Sequence, residues 1–423
     1  MTPQHINMPE PKPSPIGYIP KDWECMPFSE LFDRISKPIS VISDCKYQEI
    51  GIRSHGKGIF HKEPILGALL GEKRVFQCIP GKLAFNIVFA WEQAVALVTE
   101  SEQNMIASHR FPMYSGKKDL ADEQFYLWFF KSPRGKHALS LASPGGAGRN
   151  KTLGQGELDF MYLPVPPLAE QQKIAAILST WDTVIEQMLA QICAKKCQKD
   201  VLRQQLLNGK IRFARHTGVW KKTRLPELCR IRFSSVDKKT VAGETLVRLC
   251  NYTDVYYNDI ITVKQKFMSA TATSNEIEQF SLYKDDILLT KDSESPEDIA
   301  KCAVVMEDLP GVLCGYHLAL LRPLDDVNGL FLAQVLNSQD VRMAFTRYAN
   351  GVTRFGLPIT AFEQIEVCLP SLSEQRAIAA VLSTADDEIR ALEDEVKALQ
   401  RQKKGLMQKL LTGEVRVEIL KKT

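Results

Sequence analysis

With 423 residues, 44% of them hydrophobic and 25% charged, the chain has the make-up of a globular protein too long for one core, and two or three domains are expected. A net charge of +4 does not by itself announce nucleic acid, though it leaves room for local basic surfaces. No run of about 18 apolar residues occurs, which excludes a membrane-spanning helix. Ten cysteines without paired spacing point to reduced thiols in a cytoplasmic protein.

In chain order, residues 1–16 read as a disordered Pro-rich lead-in without an apolar signal core. Residues 17–165 form a strand-rich stretch punctuated by Gly and Pro. Near its end lie an apolar helix in FYLWFFKS (from Phe125), a G-x-x-R element (Gly146 to Arg149) and a strand-like run, LDFMYLPVP. Residues 166–213 read as one long helix. Residues 214–369 repeat the layout with FLAQVLNS (from Phe331), Gly351 to Arg354, and FEQIEVCLP. Residues 370–423 hold a second long helix and a tail.

The two helices are copies. PPLAEQQKIAAILST from Pro166 and PSLSEQRAIAAVLST from Pro370 align without a gap at an offset of 204 residues. The far ends match too, so Leu206, Leu207, Gly209 and Arg212 recur as Leu410, Leu411, Gly413 and Arg416. Such a fixed length over nearly fifty residues suits a rigid rod, and an internal repeat of this kind governs the whole fold.

Apolar spacing alternates fours and threes, an a/d heptad seam. The first copy supplies Ile174, Leu178, Trp181, Ile185, Met188, Ile192, Leu202 and Leu206. The second supplies Ile378, Leu382, Ile389, Leu392, Val396, Leu399, Leu406 and Leu410. Gly209 and Gly413 stand where each helix should stop, giving rods of about 37 residues and about 55 Å. Each copy is acidic early and basic late: Asp182 and Glu186 precede Lys195, Lys199 and Arg203, and Asp386 and Glu388 precede Lys403 and Lys409. An antiparallel pair sets acid against base at both ends, and is the expected arrangement.

Catalytic chemistry is missing from the sequence. There is no Asn/Asp-Pro-Pro-Tyr/Phe tetrad and no G-x-G-x-x-G between a strand and a helix. SPGGAGRNKT resembles a phosphate loop but puts Asn150 before Lys151 where glycine is required. The seven histidines form no metal-binding spacing, and Cys193 and Cys197 lack a second ligand pair. The chain is therefore read as having no catalytic residues, no metal and no cofactor of its own.

Segments that combine cations, hydroxyls and amides with glycine carry the directed donors and acceptors by which side chains contact nucleic-acid bases and phosphates. In the first half, GIRSHGKGIFHK offers Arg53, Ser54, His55, Lys57 and Lys62 around three glycines, and GRNKT offers Arg149, Asn150, Lys151 and Thr152. In the second half the candidates are Arg248, Asn251, Lys264, Lys266, Thr290, Lys291 and Arg354, the last being the positional counterpart of Arg149. Trp128, Phe129 and Phe130 fall in an apolar helix and read as core.

A divergent domain ending in P-x-L-x-EQ, then I-A-x-x-L-S-x-x-D-x-x-I and a long helix closing on LL-x-G, all of it repeated, resembles the specificity subunit of type I restriction-modification systems. FAWEQAVALV from Phe89 and SHRFP from Ser108 are also similar to patterns in such domains. The resemblance implies an α+β chain with two pseudo-repeated, mixed α/β target-recognition domains (17–165 and 214–369) separated by two long helices in an antiparallel coiled coil. Each domain would read half of a gapped, asymmetric site in double-stranded DNA. Two methyltransferase subunits would dock on the chain, and motor-nuclease subunits would join for restriction. The alternative is a non-catalytic scaffold whose paired domains bind proteins or RNA.

Overall fold

The structure, a computed structural model, describes residues 11–145 and 151–419. The chain divides into two compact units. One takes the chain up to Leu189 together with the stretch from Asp394 onward; the other is Ala190–Glu393. Each unit thus combines one globular region with a part of both long helices.

The first unit is built on an antiparallel sheet ordered Val95–Leu97, Leu83–Phe85, Met113–Gly116 and Phe32–Ile35. A three-stranded sheet centres on Val75–Gln77, flanked by Ile106–Ser108 and Pro38–Ile39. Helix Glu123–Lys131 lays Phe125 to Phe130 into the core, where Phe28, Phe32, Phe85, Tyr114 and Phe130 meet largely edge to face, the arrangement aromatic quadrupoles favour. Trp128, Phe129 and Phe130 are 4%, 1% and 0% exposed, which makes them core as expected.

Two expectations need correction here. Pro11–Ser14 is not disordered: it pairs antiparallel with Gly17–Pro20, and the turn takes Gly17 at φ +95°, open to glycine. In LDFMYLPVP, only Tyr162–Val165 is a strand, and it pairs with Glu24–Pro27. Leu158 and Asp159 before it belong to a short helix, Gln155–Asp159.

The second unit has a five-stranded sheet ordered Cys229–Phe233, Leu318–Pro323, Ile287–Thr290, Cys302–Val305 and Ile260–Ile261. A second sheet runs Met268–Ala272, Thr245–Cys250, Leu309–Cys314 and Ser281–Leu282. Ile287 and Leu289 of the central strand join one hydrophobic core, and Leu288 between them joins another, as strand alternation requires. Helix Gly329–Leu336 covers the first of these cores.

The long helices run Leu168–Leu207 and Leu372–Thr412, 40 and 41 residues. None of the sixteen seam positions is exposed. In the first unit Ile174 and Leu178, early in one helix, pack with Leu406 and Leu410, late in the other. In the second unit Leu202 and Leu206 pack with Ile378 and Leu382. Start meets end in both units, so the pairing is antiparallel.

Charge follows the same rule. Lys403 binds Asp182 in the first unit, and the repeat-equivalent Lys199 binds Asp386 in the second. Lys195–Glu388 and Lys196–Glu393, both 2.6 Å, extend the second cluster.

The repeated Glu-Gln doublet explains itself in these surroundings. Gln171 is fully buried; its amide accepts from Asp122 N (2.9 Å) and donates to the carbonyls of Leu120 and Pro166. Gln375 does the same with Asn328 N, Asp326 O and Pro370 O. Asp122 and Asn328 are the N-caps of the two apolar helices, so each glutamine ties a long helix to its domain.

Each glutamate instead meets the other copy. Glu170 accepts from Arg416 at 2.7 Å through both Nε and Nη2, and from Trp23 Nε1 at 3.1 Å. Glu374 accepts from Arg212 at 2.9 and 2.8 Å. Both carboxylates are 1% exposed. Just before each arginine, Gly209 (φ +69°) and Gly413 (φ +74°) end the helices; a Cβ on Gly413 would lie 2.2 Å from Pro20.

Replacing Arg416 with Ala strands the buried Glu170 carboxylate and should cost about 3 kcal/mol, seen as a lower urea midpoint. Arg416→Lys should recover only part, because an ammonium cannot reproduce the planar fork.

Candidate nucleic-acid interface

In the first unit, GIRSHGKGIFHK forms a hairpin, Ile50–Ile52 against Ile59–His61. Its tip needs left-handed backbone at His55, Gly56 and Gly58 (φ +61°, +65° and +79°), which is why glycines cluster there. Arg53, His55 and Lys57 are exposed at this tip, with the Arg53 guanidinium 5.1 Å from the Phe60 ring centre.

The tip is held by the turn that follows Phe89. Glu92 O and Gln93 O accept from His55 N (2.6 Å) and Gly56 N (2.9 Å), and the Glu92 carboxylate accepts from Ser54 Oγ at 2.9 Å. Beside it, Lys151 lies 5.6 Å from the Trp91 ring centre. Ile87 donates to Arg110 O (3.0 Å) and accepts from Leu153 N (2.8 Å). Hairpin tip, Trp91 turn, the exposed His109 and Arg110, and Lys151 with the exposed Thr152 are therefore neighbours.

Arg149 and Asn150 lie outside the described residues. Lys62 stands at the far end of the hairpin, 3.4 Å from Glu49, and does not join the tip. Sequence reasoning missed His109 and Arg110 as candidates, although SHRFP was singled out as a motif.

In the second unit the candidates disperse. Arg248 is exposed on its strand and bonds Pro310 O at 2.9 Å; Lys264 and Lys266 are exposed in the turn between Ile261 and Met268. Two expectations fail. Asn251 is 8% exposed and forms the N-cap of helix Tyr252–Tyr256, with its backbone N donating to Asp254 at 2.7 Å. Thr290 is 0% exposed, because the central strand runs one residue further than its apolar part; its hydroxyl accepts from Lys301 N at 3.0 Å.

Lys291 and Arg354 flank opposite ends of one strand pairing. Leu357 N donates to Lys291 O (2.8 Å), and Asp292–Ser293 pairs with Phe355–Gly356. Beside this pairing opens a cleft of about 590 Å³ lined by Lys238, Tyr252, Tyr256, Glu294, His317 and Arg354, among others. Tyr252 and Tyr256 stack at 5.4 Å, one helical turn apart. Tyr256 donates to Asp298, and that bond pushes its phenol up to about 12. Lys301 lies 4.0 Å from the Tyr256 ring centre and Lys291 4.6 Å from that of Tyr316. The signal in sequence was the i, i+4 tyrosine pair in NYTDVYYND, a helical spacing inside an Arg/Asn-bearing segment.

Basic and aromatic groups on stiffly held loops suit a nucleic-acid backbone and bases. No cluster able to hold a metal ion is present among the described residues, and no helix among them is long and apolar enough to cross a membrane.

The family model of the type I restriction modification DNA specificity domain matches the chain twice, over residues 20–194 and 218–401. The chain belongs to this family: it is a DNA-recognition subunit with two target-recognition domains. Among curated relatives, the type I restriction enzyme MjaVIII specificity subunit of Methanocaldococcus jannaschii is 22% identical, covering 95% of each chain. The putative MjaX specificity subunit of the same organism is also 22% identical, over 96% of this chain and 97% of that one. Two solved structures share the fold. The HsdS subunit from Thermoanaerobacter tengcongensis has a TM-score of 0.50 at 18% identity, over 94% of this chain and 98% of that one. The type I S subunit from M. genitalium has 0.55 at 14%, over 94% and 96%.

A pH test probes how firmly the hairpin is anchored. His61 meets Glu102 at 2.7 Å. Burial pushes the Glu102 carboxyl up, but hydrogen bonds from Thr99, His61 and Ser101 outweigh it and hold the group at about 2, against an ordinary 4.5. A depressed carboxyl stabilises the fold above its unfolded value and loses that contribution as pH falls through its folded one. Stability should therefore decline between about pH 4.5 and 2, and Glu102→Gln should flatten that part of a urea-midpoint profile.

Proposed function

We propose that each globular region reads one half of a bipartite duplex site, the first through the Arg53–Lys57 hairpin tip with Lys151 and Thr152, the second through the tyrosine-lined cleft with Lys291 and Arg354. The supporting observation is the double family match laid over two units with unlike surfaces and like supports. Like supports with divergent loops are what two readers of different half-sites require.

The two long helices set the gap between the half-sites. At 1.5 Å per residue a helix of 40 residues spans about 60 Å, against about 34 Å for a turn of duplex, leaving room for its ends to be embedded in the domains. Methyltransferase subunits, two per chain, dock on the helices and adjoining faces; motor-nuclease subunits join them for restriction. Bond chemistry belongs to those partners, and the chain works with them in the cytoplasm.

The first test is selection of bound sites from random duplex DNA, using the chain with its methyltransferase partner. Two short blocks separated by a constant gap are expected; a single continuous block would refute the two-reader role. Inserting one heptad in register into both helices should widen the gap and leave both blocks unchanged.

Arg53→Ala with Lys57→Ala should weaken binding at least tenfold in 150 mM salt. Each lost phosphate contact should also lower the slope of log affinity against log salt by about 0.9. Unchanged affinity and slope would remove the hairpin tip from the interface.

A further inference from the structure

In the second unit's cleft, two opposite charges are unused by the fold. Strand Asp292–Ser293 pairs antiparallel with Phe355–Gly356, Ser293 opposite Phe355. Glu294 and Arg354, each next to the paired residues of its own segment, both line the cleft. Yet neither side chain makes a hydrogen bond or ion pair with any described residue, and both are exposed.

The carboxylates around them are engaged. Asp292 meets His317 Nδ1 at 2.9 Å; Asp298 accepts from Tyr256 and lies 3.7 Å from Lys301. The backbone on both sides is fixed as well. Ser295 N donates to Ser293 Oγ at 3.3 Å, and Asn350 and Gly356 exchange two bonds of 3.0 and 2.9 Å. Gly351, at φ +147°, closes the turn so tightly that a Cβ there would lie 1.8 Å from Arg354 O. A carboxylate and a guanidinium thus line the same cleft with their hydrogen-bonding capacity unspent.

In the major groove, guanine offers two acceptors, O6 and N7, and its partner cytosine offers the N4 amino donor. An arginine fork fits the first and a carboxylate the second. An A·T pair would give the arginine only O4 beside a methyl group, or N7 beside a competing donor, so one of its two bonds would be lost. We infer that Glu294 and Arg354 together read one G·C base pair, Arg354 donating to guanine O6 and N7 and Glu294 accepting from cytosine N4. The stacked Tyr252 and Tyr256 and the nearby Lys238 flank the pair and its backbone. This inference rests on the DNA-reading role proposed above for the second unit.

The test uses the full chain in its methyltransferase complex, with bound-site selection for the wild type, Glu294→Ala and Arg354→Ala. Wild type should give two blocks, one with an invariant G·C position. Both variants should relax that same position, discrimination falling by about tenfold or more. The other block should be unchanged, which also shows that the variant complex is folded. Relaxation at different positions, or at none, overturns the inference while leaving the two-reader role standing. Enrichment of nothing by the wild type overturns the DNA-reading role and this inference with it.

Discussion

Everything in this fold depends on a buried carboxylate at the start of each long helix whose charge is met by an arginine of the other copy. Glu170 and Glu374 are both 1% exposed, and a carboxylate taken that far from water must be paired and hydrogen-bonded. The partners, Arg416 and Arg212, lie just past the end of the opposite helix. Each unit is therefore incomplete without the far end of the other repeat. The gapless offset of 204 residues follows: any change in the length of one helix would carry its arginine away from the waiting glutamate.

The same junctions show why the two globular regions diverge while their supports do not. Gln171 and Gln375 hold the N-caps of the two apolar helices through identical bonds, and the helices carry otherwise unlike cores. In the first unit Lys403 and Lys131 flank Trp128 at 4.1 and 5.0 Å, with burial pulling the Lys131 amine down. In the second the corresponding helix ends in Asn337, which bonds Cys302 on both sides. What the supports demand is local and repeated, and the rest of each domain is free to change its surface.

That division also decides what the sequence reveals. The seam, the helix stops and the antiparallel order were legible because heptad spacing, glycine and charge polarity act over neighbouring residues. The aromatic helix was legible as core because its apolar run has no polar interruption. The recognition surface was only half legible. Asn251 and Thr290 have the side chains of base readers, but one caps a helix and the other completes a central strand. Polar side chains serve buried backbone as readily as they serve a ligand, and sequence does not say which. The cleft of Tyr252, Glu294, His317 and Arg354 draws on four separate segments, a proximity that no spacing rule encodes.

The charges along the helices complete the constraint by acting against wrong pairings. Apolar heptads alone tolerate a slip of seven residues, because every seam residue then meets another apolar one. Such a slip would move Asp182 and Asp386 away from Lys403 and Lys199, leaving part-buried charges without partners. It would also pull both arginines off their buried glutamates. Ion pairs at exposed positions contribute little to stability, so pairs such as Lys196–Glu393 matter less for their strength than for the alternatives they penalise. Register along the paired helices is thus fixed by the buried carboxylates and guarded by the surface charges.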